Sequence, residues 1–230
     1  MASYNIDDKD PLIDSRLQAL LNKRGRELLG VVCLALALMS ALMLGSYAPS
    51  DPGWMVASDG AVKNSMGRLG AALASPLMVI LGWASWGIPL FLGAWGLRLV
   101  LGRGHGSAPA RSVLLPLALA ASAIWCATFV PHPGWDALHG LGGIFGDTVL
   151  AAIVNALPMS PAAGVSFMAG VMLIVCALVW GHVLGVTLHE TWRFGQFLLA
   201  GMILVYAGVV AFLRQGAAGS LRGAKAASRA

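Results

Sequence analysis

The chain has 230 residues, of which 58% are hydrophobic and only 11% charged, with a mean hydropathy of +0.77; soluble domains carry about 25% charged residues, so the composition excludes an ordinary soluble domain and makes lipid the expected solvent. The formal charge of +5 does not mark a nucleic-acid binder, because the Lys and Arg residues sit in short segments beside apolar runs, where retention on the cytoplasmic side of a membrane accounts for them. Cys33, Cys126 and Cys176 fall inside apolar runs without ligand spacing, so they read as small hydrophobic fillers and indicate neither a disulfide framework nor a zinc site.

Residues 1–27 are polar and mixed in charge, and Asp10-Pro11, an N-cap residue before the residue favoured at the first helical position, predicts a helix start. Ile13, Leu17, Leu20, Leu21 and Leu28 recur at helical spacing opposite Asp14, Arg16 and Lys23, an amphipathic stripe expected to lie on the cytoplasmic membrane surface. A first span follows over 28–47. Its apolar core is longer than that of a secretory signal and its leader is acidic, so it reads as a signal anchor.

Residues 48–70 form an outside connection, turn-rich around Pro49, Asp51, Pro52, Gly53 and Trp54, with an interfacial helix near Asn64, Met66, Gly67 and Arg68. Ser75-Pro76 predicts the start of a second span over 75–95, and Pro89 removes the amide that bonds the carbonyl of Ser85, which predicts a kink there. Trp83, Trp86 and Trp95 on this span are expected to serve in packing. Arg98, Arg103 and Arg111, around Gly102, Gly104 and Gly106, mark a cytoplasmic loop by the positive-inside rule.

Residues 113–130 give a third span, with Pro116 in its first turn and Trp125 near the outer interface. Residues 131–161 contain no Lys or Arg and are expected outside; within them 147–157 is an apolar helix too short to cross, read as interfacial or re-entrant. The fourth span covers 162–186, where Gly181 and Gly185 stand at the spacing that lets helix backbones approach closely.

Residues 197–213 form a further apolar run at the lower limit of spanning length, yet Arg214, Arg222, Lys225 and Arg229 beyond it favour the cytoplasm. Four spans, with 197–213 partly in the inner interface, satisfy that preference; a six-segment arrangement in which 147–157 also enters the membrane satisfies it as well. Both termini are then cytoplasmic. Residues 214–230, rich in Ala, Gly, Ser and basic side chains, read as the start of a flexible linker. The expected fold is thus an all-α integral membrane protein with four transmembrane helices plus interfacial or re-entrant helices, in three parts: 1–27, 28–213 and 214–230.

The residues offer little chemistry. None of the four spans holds an Asp, Glu, Lys or Arg, which disfavours a transporter or channel, the main alternative, since such proteins usually keep ionisable groups in the membrane. His182 is the only histidine in the spans and sits near the cytoplasmic end. His132, Asp136, His139 and Asp147 cluster in the second outside loop, but without ligand spacing and among turn-forming Pro and Gly, so local hydrogen bonding is the expectation over a metal site or an acid-base pair. His189-Glu190 begins like a zinc HExxH motif, but Arg193 stands at its fifth position. No phosphate loop, dinucleotide fingerprint or nucleophile elbow occurs, so neither catalysis nor a cofactor is expected.

Ser46-Tyr47-Ala48-Pro49-Ser50-Asp51-Pro52-Gly53-Trp54 resembles the S-Y-x-P-x-D-P-x-W signature that follows the first membrane helix of FtsK-type bacterial DNA translocases. Asn64, Gly67, Gly70-Ala71 and Ala74 resemble the N-x-x-G-x-x-G-A-x-x-A entry to the second helix, and Gly140-Leu141-Gly142-Gly143 with Gly146-Asp147 resembles the glycine-rich second periplasmic loop. The resemblance spans roughly residues 23–196; it departs at Ser75-Pro76, where the family often has an acidic residue after the alanine, and at the strongly apolar 197–213. It implies a non-enzymatic septal membrane anchor in the bacterial inner membrane, without the family's cytoplasmic hexameric ATPase and winged-helix domain, touching DNA only through that absent motor. It also implies other divisome membrane proteins as partners, beside the lipid bilayer, and a homo-oligomer, six-fold if it follows the motor. The candidate interaction loops carry Tyr47, Pro49, Asp51, Pro52, Trp54, Asn64 and Gly67 on one side and Gly140, Gly142, Gly143, Gly146 and Asp147 on the other, and are expected to form one periplasmic surface.

Overall fold

The computed structural model describes residues 15–57, 60–102, 111–135, 139–186 and 196. The expectations for Asp10-Pro11, Arg103, Asp136, His189-Glu190, 197–213 and the 214–230 linker lie outside them. The described residues build six α-helices, named here α1 (Ser15–Gly45), α2 (Gly67–Leu81), α3 (Gly87–Val100), α4 (Leu115–Cys126), α5 (Gly143–Ala156) and α6 (Pro161–Val183), with a 3₁₀ segment Gly82–Trp86 joining α2 to α3. Their one β feature is an isolated bridge between Gly53 and Val56.

Helix α1 runs unbroken for 31 residues, about 46 Å at 1.5 Å per residue, well beyond a hydrocarbon layer of roughly 30 Å. The charged residues Lys23, Arg24, Arg26 and Glu27 are therefore on the same rod as the apolar run, with Arg24 and Glu27 paired at 2.7 Å one turn apart. The helix continues without interruption from Leu17, Leu20 and Leu21 into the span. That corrects the reading of a separate helix lying on the surface: no proline interrupts the segment, and the backbone ladder simply continues.

The next helix also starts elsewhere than Ser75-Pro76 predicts. It begins at Gly67 and carries Pro76 inside it, and it breaks at Gly82, not at Pro89. Gly82 adopts φ 59°, ψ −136°, a conformation closed to residues with a β-carbon. Pro89 instead falls in the first turn of α3, where a missing amide leaves no bond unmade.

Helices α1 and α3 run antiparallel on a seam of small residues. A β-carbon on Gly30 would stand 2.8 Å from the Gly96 carbonyl oxygen, and Gly93 faces Ala37. Removing side chains there lets two backbones approach, which in lipid gains dispersion contacts that no hydrophobic effect supplies. Helix α4 packs on α5, α6 and the 3₁₀ segment with Ala118, Ala121 and Ala123 buried. Its 12 residues reach only about 18 Å, but hydrogen-bonded turns from Arg111 to Leu114 and from Ala127 to Phe129 extend it at both ends.

Three tryptophans fix the packing differently from one another. Trp95 is buried and its indole N–H donates to the Val183 carbonyl at 2.9 Å, tying α3 to α6. Trp180 donates to Ser122 Oγ at 2.8 Å, tying α6 to α4. Trp125 meets Phe129 edge-on at 4.9 Å. Gly181, by contrast, has open space among the described residues where a β-carbon would sit, and Gly185 ends α6 at φ +70° beside side chains of α3, so among the described residues the Gly181/Gly185 spacing brings no second helix backbone close.

Outside the seams, Leu28, Leu29, Val31, Val32, Leu38, Leu173, Ile174 and Leu178 are all more than half exposed. Large apolar side chains turned outward along whole helices are the pattern of lipid contact. Three helical stretches have the length and composition to cross a membrane, Leu20–Gly45, Gly67–Val100 and Pro161–Val183, beside the shorter apolar helices Leu115–Cys126 and Gly143–Ala156. The fold is an all-α integral membrane protein, in which the described residues give three long apolar helical stretches and shorter apolar helices packed among them.

Candidate interaction surface at the loop end of the bundle

The chain that leaves α1 is folded back on the helix it has just left. Asp51, buried, accepts the amide of Lys63 on one carboxylate oxygen at 2.9 Å and that of Asn64 on the other at 2.8 Å. Asn64, also buried, donates through Nδ2 to the Met43 carbonyl at 2.8 Å and accepts the Met66 amide at 3.0 Å. A helix end leaves its last carbonyls unpaired, and here Asn64 takes that of Met43, while the Ser65 hydroxyl adds a bond at 3.2 Å to the Leu42 carbonyl, which already accepts from the amide and hydroxyl of Ser46. Ser46 Oγ receives the Ser65 amide at 2.9 Å, which completes a clasp between the two ends of the 46–65 loop.

The second loop is held by backbone contact. Gly82 and Gly143 face each other so closely that a β-carbon on either would stand 2.6 Å from the amide nitrogen of the other. The Trp83 amide donates to the Leu141 carbonyl at 2.9 Å across the same crossing. Gly142 and Gly146 rest directly on the Ala123 carbonyl of α4. Asp147 accepts the Gly140 amide at 2.6 Å, closing the turn that opens α5.

The two short helices are entered by the same turn. Gly67 and Gly143 both adopt φ +66°, each donates its amide to the carbonyl three residues earlier, Asn64 and Gly140 respectively, and each is followed three residues on by a buried glycine, Gly70 and Gly146. The chain thus reads twice as a membrane helix, a glycine-entered short helix and a returning membrane helix. The signal was present in the sequence as N-x-x-G-x-x-G against G-x-x-G-x-x-G, and pattern reading by individual motif passed over the match.

Both loops meet around one aromatic cavity of about 320 Å³, lined among others by Tyr47, Pro49, Met78, Trp83, Trp86 and Trp135. Trp83 and Trp135 stand 6.5 Å apart, tilted by 60°, and the Trp135 indole donates to the His139 carbonyl at 2.7 Å. Of the candidate residues, Pro49, Gly67 and Trp54 are exposed, Trp54 to 77%. Tyr47, Pro52, Gly140 and Asp147 are half-buried, and Asp51, Asn64, Gly142, Gly143 and Gly146 are buried. The frame is therefore internal, and its outward face is Trp54, Pro49 and the aromatic cavity.

Both loop carboxylates are engaged by backbone amides, and among the described residues no three His, Cys, Asp or Glu side chains converge as metal ligands would. Ser75 Oγ and His139 Nδ1 are buried without a hydrogen-bond partner among the described residues. Chemically, the arrangement suits rigid presentation of aromatic surface.

Residues 22–193 match the family described as the 4TM region of DNA translocase FtsK/SpoIIIE. The chain is 32% identical over 185 residues to DNA translocase FtsK of Azospirillum brasilense, a match covering 74% of this chain and 28% of that protein. It is 27% identical over 162 residues to the FtsK of Caulobacter vibrioides, covering 68% and 20%, and 34% identical over 137 residues to that of Brucella suis, covering 59% and 16%. The chain thus spans less than a third of the length of these curated relatives. No solved structure matches it. With the S-Y-x-P-x-D-P-x-W loop, the paired glycine turns and the helical membrane bundle in place, the chain belongs to the family of the 4TM region of FtsK/SpoIIIE DNA translocases.

Proposed function

We propose that this chain is the membrane anchor and protein-interaction domain of a cell-division DNA translocase, holding it at the division septum and so linking division to chromosome segregation. The observation that carries the reading is the loop end of the bundle, where a buried frame of Asp51, Asn64 and crossed glycines supports an exposed Trp54 and an aromatic cavity. A pure anchor needs only helices; a rigid aromatic face suits contact with other proteins, since Trp and Tyr bring large area at low entropic cost. In this reading the loop end faces the periplasm, both termini are cytoplasmic, and the tail after 214 leads toward the motor, which alone meets DNA. Other divisome membrane proteins are its partners, and copies of the domain gather as the motor does, up to six together.

The test is localisation in dividing cells. A fluorescent fusion of the chain is expected at the septum, and deletion of residues 28–186 is expected to disperse it; a deletion variant still concentrated at midcell would sink the proposal.

A further inference from the structure

The cavity at the loop end of the bundle is walled by aromatic rings from three separate segments: Tyr47 just past the end of α1, Trp83 and Trp86 on the 3₁₀ segment, and Trp135 on the second loop. Rings that only mark the membrane surface need not converge, whereas these line one hollow of about 320 Å³. Two of the polar donors on these residues are already committed. The Trp83 amide is given to the Leu141 carbonyl and the Trp135 indole N–H to the His139 carbonyl, so neither is left for an anion. A ring face itself is electron-rich and repels one.

The charge around the cavity points the same way. Helix α1 ends at Gly45, and Leu44 and Gly45 form part of the wall; the C-terminal end of a helix carries about half a negative charge. The carboxylates of Asp51 and Asp147 are held by backbone amides and make no ion pair among the described residues. Residues 46–70 and 131–161 together hold Asp51, Asp59, Asp136 and Asp147 against Lys63 and Arg68. An aromatic hollow at the negative end of a helix, between two loops of acidic balance, favours a cation.

We propose that this cavity receives the basic side chain, arginine or lysine, of a partner protein, an inference that rests on reading this face as a protein-interaction surface. A guanidinium or ammonium is attracted by the quadrupoles of Trp and Tyr rings, and the planar guanidinium also stacks on them. Pro49, exposed on the rim, and Trp54, exposed farther along the same loop, supply the neutral surface that a protein segment would cover around such an anchor.

The experiment uses the whole chain in a neutral detergent, with the indole N–H signals of its tryptophans followed by NMR during titration with N-acetylarginine amide and with N-acetylcitrulline amide, its uncharged near-isostere. The arginine probe is expected to shift the signals of Trp83, Trp86 and Trp135 saturably, and the citrulline probe to bind at least about fivefold more weakly. Trp86→Leu, which keeps an apolar side chain without the ring, is expected to weaken arginine binding about fivefold, Trp86→Phe less, and Trp125→Phe, outside the cavity, not at all. Equal binding of the two probes, or of neither, would overturn the proposal, and that comparison on the parent chain needs no variant to fold. A folded Trp86→Leu protein that binds as the parent does would also overturn it. Dihexanoylphosphatidylethanolamine shifting the same signals at lower concentration than the arginine probe would give the site to a lipid headgroup and overturn the protein source. A chain that gathers at the septum yet ignores the arginine probe would sink this inference alone; one that binds the probe but never gathers there would sink the septal reading and leave this site standing.

Discussion

The carboxylate of Asp51 receives the backbone amide of Asn64 at 2.8 Å, and the side chain of Asn64 goes on to the Met43 carbonyl at 2.8 Å. One acid and one amide thus join the loop to the end of α1. Replacing Asp51 with Ala strands the buried amide of Asn64 and the part-buried amide of Lys63 and is expected to cost about 3 kcal/mol. Asn64→Ala is expected to cost a similar amount, and the double variant less than the sum, because both remove the same clasp. Chemical unfolding in detergent micelles reads all three, and strict additivity would show that the two residues act separately.

The glycine crossing gives a paired prediction. Ala at Gly82 or Gly143 adds a methyl where the partner backbone already stands and forces a positive φ, so each is expected to lower stability by at least about 2 kcal/mol. Gly181→Ala sits, among the described residues, in open space inside a helix and is expected to be neutral or to stabilise by up to about 1 kcal/mol. Thermal midpoints of the three variants check this, and a Gly143→Ala protein as stable as Gly181→Ala would contradict the crossing.

Trp54 is the clean probe of partner contact, since its ring is 77% exposed. Trp54→Ala is expected to change stability by no more than about 0.5 kcal/mol while reducing co-purification of divisome membrane proteins. Gly143 variants cannot separate these effects, because they disturb the frame itself. Undiminished co-purification would leave the exposed indole without a role in recognition.

A reporter active only in the cytoplasm, fused after Ala230, is expected to be active, as an even number of crossings requires. An inactive reporter, with a periplasmic one active at the same position, would demand an odd number and withdraw the tail from any cytoplasmic motor.

That the chain is a helical membrane protein was legible because long apolar runs report directly on lipid. The internal use of the motif residues was not. Asp51 and Gly142 look like surface loop residues in a pattern, yet both are buried, because what they contact, a backbone amide at Asn64 and a carbonyl at Ala123, has no sequence signature. The kink was assigned to Pro89 because proline carries a local rule, whereas the break at Gly82 depends on Gly143, distant in the chain. The Gly181/Gly185 pair shows the converse, a spacing that fits a helix contact without one among the described residues.

Because α1 is helical without interruption from Ser15 to Gly45 and its far end is clasped by Asn64 and Ser65, a single element carries both the charged residues 23–27 and part of the wall of the aromatic cavity, at Leu44 and Gly45.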